Sequence, residues 1–436
     1  MKKGRFLVII FGLLSLLIFN RAEAGGVRPQ AEGEVSTEVK IHDGDGLFTG
    51  TASFTFSVKN TLSNEQSGSV SYLVTTEKGE KVTSKKIDVK IGSHSSENYD
   101  FSIPDLQTGF YKINFMINVS DYDDTTRRAF GIRPKEVQSA YPRPADFDEF
   151  WQKTKDDLAK VKPEFKLVPM PKMNTENREV YEIQMRSLDN YLIKGYLTTP
   201  KTKNKNRKFS VLLGLPGYQV DLDPMVGTDP DLAIITLNTR GQGTSRGEID
   251  TRRDEFLTYR IENREKYVMR GVIMDCVRCV DFIYSQRNLR HDNILATGGS
   301  MGGYLAIALA GVDSRINLAS AQNPILCDIR GLVGEVDWPI TSFKKYAATQ
   351  PGLTLEKVLN TLDYYDGRNF AANIKCPFLM GIGLLDPFAP PNNEFATYNL
   401  VPGRKRIMVF KDLSHEISSK YKDLEGRWMR DAFALF

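Results

Sequence analysis

At residues 294–304 the chain reads Ile294-Leu295-Ala296-Thr297-Gly298-Gly299-Ser300-Met301-Gly302-Gly303-Tyr304. The apolar start is typical of a buried strand, and the run from Tyr304 to Ala310 is typical of a helix. Between them lies Gly-x-Ser-x-Gly, which also occurs in ordinary glycine-rich turns with a capping serine. With a strand before it and a helix after it, the pattern predicts a nucleophile elbow. Gly298 and Gly302 leave room for the sharp turn. Ser300 then lies at the carboxyl end of a central strand, above a helix N-terminus that favours negative charge.

Other apolar runs predict the rest of a sheet around this strand. Strands that are covered on both faces have continuous apolar sequences. Runs of that kind occur at residues 211–215, 233–237, 378–382 and 407–410. Alternating segments near 180–186 and 191–197 predict an antiparallel hairpin before them. Since helical stretches separate most of the apolar runs, the sequence predicts an α/β domain with a mostly parallel sheet.

A second domain is predicted ahead of this sheet, because 436 residues exceed the usual size of one domain. Residues 25–133 contain short strands in which apolar and polar residues alternate, separated by turns and without helices. This pattern predicts an immunoglobulin-like β-sandwich, and Leu106-x-x-Gly109-x-Tyr111 resembles the tyrosine corner of such domains. Pro134 begins a proline-containing linker, so the α/β domain is placed at 134–436. Its first helix is expected to follow Asp146 as the N-cap.

Residues 1–24 have the composition of a secretory signal peptide. Lys2, Lys3 and Arg5 form a positive start, an apolar segment runs from Phe6 to Phe19, and Ala22-Glu23-Ala24 fits a cleavage site. The apolar segment is short for a membrane-spanning helix, and no cysteine near the cleavage site indicates a lipid anchor. We therefore expect an exported protein, periplasmic or secreted, with no stable membrane insertion after cleavage.

The composition argues against several classes of partner. The formal net charge of +4 includes the cations of the leader, and no basic face is evident, so nucleic acid is not an expected partner. The chain has 4 cysteines, of which Cys276 and Cys279 lie in an apolar, helix-like run. They are expected to be buried thiols and not parts of a disulfide framework or metal site. No metal and no cofactor is expected.

Elimination leaves one histidine as the base that an activated serine needs. Of the 4 histidines, His42 and His94 belong to the predicted sandwich. His291 precedes the strand that leads to Ser300, so it lies at the far end of that strand, more than ~15 Å from the serine. His415 follows the last predicted strand and remains as the candidate base.

The acid should lie between Ser300 and His415, because this arrangement has the chain order serine, acid, histidine. Asp386 follows the strand at 378–382 through a short turn, which places it at the same edge of the sheet. Asp412 is the alternative, but a carboxylate so near the histidine in sequence seldom reaches its ring from the right direction. The predicted roles are nucleophile for Ser300, general base and then acid for His415, and orientation of the imidazole for Asp386.

An oxyanion hole is expected from two backbone N–H groups. One belongs to Met301, directly after the nucleophile. The other is assigned to Tyr218, because Leu215-Pro216-Gly217-Tyr218 ends an early strand and Pro216 has no N–H to donate. The same four residues also fit a simple type II turn.

Further motifs accompany the elbow in a fixed order. They are Asp146-Phe147-Asp148-Glu149-Phe150-Trp151, Arg240-Gly241-Gln242, Gly298-Gly299-Ser300-Met301-Gly302, Asp386 followed by Pro390-Pro391 and Phe395-Ala396-x-Tyr398-Asn399, and His415-Glu416. With them, the chain from Tyr141 onward resembles the acetyl xylan esterase and cephalosporin C deacetylase family, carbohydrate esterase family seven. The resemblance implies an α/β-hydrolase that removes acetyl groups from sugar hydroxyls, with the triad and oxyanion donors named above. We interpret Arg240-Gly241-Gln242 as support for the active-site loops.

The chain departs from the family pattern at three places. Met301 replaces the family's glutamine after the serine, which leaves the backbone N–H intact and changes the wall of the pocket. Pro216 stands where the family usually has histidine, which changes the loop before Tyr218. The sandwich is additional. Family members form hexameric rings, which implies a homo-oligomer. The sandwich is an additional domain that such a ring would have to accommodate.

These observations favour an exported esterase that removes small acyl groups, chiefly acetyl, from acetylated carbohydrate, with xylan-type oligosaccharides as the expected substrates. Aromatic residues near the elbow, such as Tyr218 and Tyr304, are expected to limit the length of the acyl group. One alternative is an exported peptidase of the prolyl oligopeptidase kind, although the N-terminal region is too short for a propeller. Another alternative is a carbohydrate-binding relative without catalysis.

Overall fold

The computed structural model describes residues 33–227, 229–247, 249 and 256–435. The predicted signal peptide, residues 1–24, lies outside the described residues. Within the described ranges, no helix combines the length and apolar character that crossing a bilayer requires.

The N-terminal region consists entirely of strands and turns. The strands are β1 (Val35–Ile41), β2 (Leu47–Phe48), β3 (Ala52–Asn60), β4 (Gln66–Thr76), β5 (Lys81–Ile91), β6 (Ser95–Ile103), β7 (Gly109–Val119) and β8 (Tyr122–Ile132). They form a 3-stranded sheet in the order β1-β3-β6 and a 5-stranded sheet in the order β2-β8-β7-β4-β5. All pairs are antiparallel except β2 with β8.

The two small sheets pack face to face through the apolar residues whose alternation is visible in the sequence. Phe54, Phe56 and Val58 of β3 are fully buried, and the Phe54 ring centroid lies 5.4 Å from that of Phe115 in the facing sheet. A period of two along each strand thus places one row of side chains in a shared core. The Tyr111 hydroxyl donates to the Gln107 carbonyl oxygen at 3.0 Å, a contact of the tyrosine-corner type.

The rest of the chain forms a 9-stranded sheet. Its strands are β9 (Lys166–Pro169), β10 (Arg178–Arg186), β11 (Leu192–Pro200), β12 (Phe209–Gly214), β13 (Leu232–Asn238), β14 (Leu289–Gly299), β15 (Leu318–Gln322), β16 (Phe378–Gly383) and β17 (Lys405–Phe410). The spatial order is β9-β10-β11-β13-β12-β14-β15-β16-β17. From β13 through β17 every neighbouring pair is parallel, whereas β9, β10 and β11 are antiparallel. The mostly parallel sheet and the preceding hairpin, β10 with β11, are confirmed.

Helices lie between these strands. They are α1 (Phe147–Ala159), α2 (Val268–Ser285), α3 (Met301–Val312), α4 (Ile340–Thr349), α5 (Leu355–Leu362), α6 (Gly367–Ala371), α7 (Pro391–Leu400) and α8 (Ser419–Phe433). Along β14, Leu295 packs with Met429 and Phe433 of α8, whereas its neighbour Ala296 belongs to the main core that contains α2 and α3. Because successive side chains point to opposite faces, helices cover the sheet on both sides. This explains the continuous apolar runs in its central strands, such as residues 211–213 and 294–296.

Two expectations about individual side chains have different outcomes. Asp146 occupies the position before α1, but its side chain makes no capping hydrogen bond. Its Oδ1 accepts a hydrogen bond of 2.5 Å from the Tyr364 hydroxyl instead, so the predicted N-cap position is confirmed but capping by the side chain is not. Cys276 and Cys279 are fully buried free thiols on α2, as predicted, and burial raises the pKa of both. Within the described ranges, no group of three or more His, Cys, Asp or Glu residues has an arrangement that could hold a metal ion.

The sandwich contacts helix α7 and the loop that follows β17. Phe110 of β7 packs against Phe395 with ring centroids 5.0 Å apart. Arg128 Nε of β8 lies 3.4 Å from Asp412 Oδ1. The same interface contains carboxyl groups: burial, followed by the nearby Glu335, raises the pKa of Glu77 to about 8.

Replacement of Glu77 by glutamine should therefore stabilise the protein at neutral pH. Below pH 4.5, the ordinary value, the carboxyl is protonated in both the folded and the unfolded chain. As pH rises towards about 8, the unfolded chain releases this proton and the folded chain keeps it, so the folded state loses stability. Melting temperatures measured across this range should show no gain for Glu77→Gln at low pH and a growing gain up to pH 8. A gain that is constant with pH, or equal in the exposed control Glu97→Gln, would contradict this account.

Candidate active site

The elbow between β14 and α3 has the geometry that its glycines predict. Ser300 adopts φ 58° and ψ −123°, a backbone conformation that is costly for a residue with a side chain. A Cβ on Gly298 would lie 2.6 Å from the Gly302 carbonyl carbon, and a Cβ on Gly302 would lie 2.4 Å from the Leu215 carbonyl oxygen. Both positions thus exclude any other amino acid, and the strained turn lifts Ser300 above the N-terminus of α3.

The structure brings Ser300, His415 and Asp386 into one hydrogen-bonded chain. His415 Nε2 lies 2.9 Å from Ser300 Oγ, and His415 Nδ1 lies 2.6 Å from Asp386 Oδ2. The Asp386 side chain is 0% exposed and the His415 side chain 21% exposed. The other carboxylate oxygen, Asp386 Oδ1, accepts the backbone N–H groups of Phe388 at 2.8 Å and Ala389 at 2.9 Å. Both oxygens of the acid are therefore fixed, and one of them is directed at the imidazole.

Asp412, the alternative acid, is not part of the hydrogen-bonded chain of Ser300, His415 and Asp386. Its side chain is 52% exposed and pairs with Lys411 Nζ at 2.6 Å and with Arg128 of the sandwich. Asp412 therefore belongs to the interface between the two regions. His291 also lies outside this hydrogen-bonded chain. It is near the start of β14, where its ring stacks on that of Tyr284 with the centroids 4.3 Å apart.

A further carboxyl group lies close to the acid without joining it. Glu394 on α7 is fully buried, and burial, followed by the charges of Asp386 and Glu77, raises its pKa well above the ordinary value. Among the described residues, neither of its carboxyl oxygens has a hydrogen-bond partner. Burial therefore favours the neutral form of Glu394, and this carboxyl lies outside the hydrogen-bonded chain of Ser300, His415 and Asp386.

Two buried amides hold the loop that carries His415, and sequence reasoning missed both. Gln322 Nε2 donates to the Glu416 carbonyl oxygen at 3.1 Å. Asn323 Nδ2 donates to the same oxygen at 3.0 Å and lies 3.5 Å from the Ser414 carbonyl oxygen. These backbone groups flank His415 on both sides, so residues at the end of β15 hold the His415 loop in place. The available signal was a pair of amide side chains directly after the small residues Ala319-Ser320-Ala321.

The Arg240-Gly241-Gln242 motif anchors the loop that contains Tyr218. Gln242 Oε1 accepts the backbone N–H of Gln219 at 2.7 Å. The buried Arg240 guanidinium pairs with Asp275 of α2 at 2.8 Å. The motif therefore connects the Tyr218 loop to the body of the sheet, in keeping with a supporting role.

The loop after β12 lies directly beside the elbow. A Cβ on Gly217 would be 3.8 Å from the Gly299 carbonyl oxygen, and Leu215 approaches Gly302 as described above. Met301 is the first residue of α3 and its side chain is fully buried. The loop that contains Tyr218 therefore lies beside the elbow, Met301 directly follows the serine, and the helix N-terminus adds a favourable field for an anion there.

Three aromatic rings, which we call the aromatic row, continue from the histidine. They belong to Phe388, Trp338 and Tyr218. The Phe388 ring centroid is 5.2 Å from His415 and 6.0 Å from Trp338, and Trp338 is 5.0 Å from Tyr218. Phe388 is 39% exposed. Tyr304, in contrast, is fully buried and its hydroxyl donates to the Tyr365 carbonyl oxygen, so the expectation that it limits the acyl group is wrong.

Reactivity of Ser300 should distinguish the two candidate acids. Asp386→Asn is expected to slow labelling by a fluorophosphonate probe on the order of 10³–10⁴-fold, because the imidazole loses the partner that fixes its tautomer. Asp412→Asn, a change of the same size and charge, should label at the wild-type rate. Intact-mass measurement of the rate of probe addition checks both. Equal labelling rates in the two variants would contradict the role of Asp386 in orienting the imidazole of His415.

Comparison with known proteins adds the family context. A model described as acetyl xylan esterase (AXE1) matches residues 133–432. The chain is 28% identical over 313 residues to an acetyl esterase, Axe7A, of Xylanibacter ruminicola, which covers 69% of this chain and 70% of that protein. The structure is similar to an acetyl xylan esterase from Paenibacillus sp. R4, with 27% identity and a TM-score of 0.62 over 69% of this chain and 98% of the other. Acetyl xylan esterase 1 from Thermoanaerobacterium sp. JW/SL YS485 has the same fold, with 23% identity and a TM-score of 0.61 over the same shares.

Proposed function

The chain belongs to the acetyl xylan esterase family of α/β-hydrolases, and we propose that it removes acetyl groups from acetylated xylan and its oligosaccharides through Ser300. As a member, it is a carboxylic ester hydrolase. The observation that carries the proposal is the hydrogen-bonded chain from Ser300 through His415 to Asp386 at the elbow. No step of the reaction needs a metal or a cofactor.

In the first half of the reaction, Ser300 Oγ attacks the acetyl carbonyl carbon and His415 Nε2 takes the hydroxyl proton. Asp386 accepts the Nδ1–H of His415, which keeps the lone pair of Nε2 directed at the serine and stabilises the imidazolium. The tetrahedral intermediate collapses, the sugar oxygen leaves, and the imidazolium gives its proton to that oxygen. The products are a free sugar hydroxyl and an acetyl group on Ser300.

In the second half, water replaces the sugar. His415 removes a proton from the water, the resulting hydroxide attacks the acetyl-serine, and the proton returns to Ser300 Oγ as acetate leaves. In both halves the carbonyl oxygen becomes an anion. We assign its stabilisation to the backbone N–H groups of Tyr218 and Met301, supported by the position of their loops beside the serine.

The aromatic row gives the site one apolar wall. The ring of Phe388 stands nearly perpendicular to His415, at 77°, and is partly open to solvent. An aromatic face of this kind suits the apolar C–H groups of a sugar ring, and its hydroxyls remain free for polar partners. The rings of Trp338 and Tyr218 continue the row towards the serine, where they limit the space for an acyl chain.

Release of acetate from a panel of acetylated substrates tests the proposed reaction. Wild-type enzyme should deacetylate acetylated xylan and xylo-oligosaccharides, and it should hydrolyse p-nitrophenyl acetate but no dipeptide p-nitroanilide. Ser300→Ala should lose all of these activities while its melting temperature stays close to that of wild type. Turnover of the nitroanilide would favour the peptidase alternative. Activity that survives in Ser300→Ala would refute the assigned nucleophile, and a wild type without any turnover would favour the non-catalytic alternative.

The acyl group is expected to be short. Extending it beyond about three carbons should sharply lower kcat/KM, because the longer chain meets the aromatic row. Trp338→Ala should restore part of the activity on butyryl and hexanoyl p-nitrophenyl esters and leave acetyl hydrolysis nearly unchanged. Kinetics on the ester series provide the measurement. Equal kcat/KM for acetyl and octanoyl esters in the wild type would rule out this wall.

Features outside the active site support proposals about the domains, the location and the oligomeric state of the protein. We infer that the N-terminal sandwich, residues 25–133, is immunoglobulin-like, on the basis of its two facing sheets and the Tyr111–Gln107 hydrogen bond. The esterase domain is placed at 134–436. The composition of residues 1–24 supports export to the periplasm or medium, where polysaccharide is available. A homo-oligomer is inferred from the family resemblance alone.

A further inference from the structure

A cavity of about 400 Å³ lies between the sandwich and the loops that carry the acid and the base. From the sandwich it is lined by β7 and β8, including Asn114, Arg127 and Arg128. From the esterase region it is lined by Glu335, by the loop from Leu384 to Pro391, and by Ser414. This volume is in the range of small-molecule binding sites. Since Ser414 directly precedes His415, the cavity adjoins the catalytic loops, and the extra domain supplies half of its wall.

Two buried polar atoms of this lining lack hydrogen-bond partners among the described residues. They are Glu335 Oε2 and Arg128 Nε. Glu335 is 10% exposed in its side chain, and its Oε1 is 3.9 Å from Lys78 Nζ. Arg128 Nε is within ion-pair distance of Asp412, but without hydrogen-bond geometry. Buried polar groups are normally satisfied, so an unpartnered donor and an unpartnered acceptor in the lining of one cavity point to a polar ligand.

The charges around the cavity favour an anionic ligand. Arg127 is exposed, and within the described part of the chain its guanidinium has no ion-pair or hydrogen-bond partner. Lys112 Nζ is bound to the Glu77 carbonyl oxygen at 3.2 Å and adds a second cation. Burial raises the pKa of Glu335 to about 7 and that of Glu77 to about 8. Both carboxyls therefore hold protons through much of the acid range. Asp386 also lines the cavity, but its two oxygens are already bound by the N–H groups of Phe388 and Ala389 and by His415, so the three cations have no free carboxylate among the other described lining residues.

We propose that the interdomain cavity is a subsite for a carboxylate-bearing sugar of the acetylated polysaccharide, such as a glucuronic acid side group on xylan. Arg127 binds the carboxylate, and Arg128 and Glu335 contact hydroxyl groups of the same sugar. The guanidinium fork of arginine matches the geometry of a carboxylate. The inference rests on the proposed function for the identity of the polymer. It assigns to the sandwich a direct part in substrate selection.

Matched substrates separate this subsite from the catalytic centre. We would compare acetylated xylo-oligosaccharides of equal length with and without a glucuronic acid side group. Wild-type enzyme should have the lower KM for the acidic substrate. Arg127→Ala should raise that KM about tenfold, as loss of one charge-assisted hydrogen bond would. Its kcat, and its kinetics on the neutral oligosaccharide and on p-nitrophenyl acetate, should equal those of wild type. Lys86→Ala, an exposed change on β5 outside the cavity, should alter none of these values.

A second measurement tests binding of the acidic sugar separately from its deacetylation. An acidic xylo-oligosaccharide without acetyl groups should inhibit hydrolysis of p-nitrophenyl acetate by the wild type, and Arg127→Ala should weaken that inhibition. Absence of inhibition, equal KM values for the acidic and neutral substrates, or an equal loss on both in Arg127→Ala would overturn the subsite. Failure of the proposed function has a different signature: no acetate is released from either acetylated oligosaccharide while p-nitrophenyl acetate is still hydrolysed.

Discussion

The close approach of backbone at the Ser300 elbow is the constraint on which the rest of the site depends. The serine is held at positive φ, and the Leu215 carbonyl oxygen packs where a side chain on Gly302 would be. This contact fixes the end of β12 against the start of α3, so the Tyr218 loop and the serine are held in a fixed position relative to each other. Rigidity here matters because a catalytic group misplaced by about 1 Å can cost on the order of 10²-fold in rate.

The positions of His415 and Asp386 depend on hydrogen bonds to neighbouring residues more than on a strained turn such as the one at Ser300. His415 lies in a loop in which the Glu416 carbonyl oxygen is bound by Gln322 and Asn323 at the end of β15. Asp386 fixes its own turn through the N–H groups of Phe388 and Ala389. Each of these hydrogen bonds contributes only about 1 kcal/mol to stability. Their greater effect is geometric, because together they hold two loops from different strands at hydrogen-bond distance.

The sequence predicted the parts of the site that follow from backbone rules. Glycine spacing identified the elbow, and elimination among the histidines left His415 beside the last parallel strand. Gln322 and Asn323 could not be found in this way, because they act through backbone carbonyls that are distant in sequence. Asp146 occupies the predicted N-cap position, but its side chain binds Tyr364, a residue distant in sequence that no local pattern connects to it. Tyr304 failed for a similar reason: a helix that is buried on all sides gives no sequence signal of which side faces the site.

The loop from Asp386 to Pro391 connects the catalytic centre to the sandwich. One side of it places Phe388 against His415, and the other side, through Pro387 and Pro390, lines the interdomain cavity. A short loop with several prolines and both oxygens of its aspartate bound has few alternative conformations. The contacts on the two sides of this loop are therefore held in a fixed spatial relation, with Phe388 against His415 on one side and the cavity lining on the other.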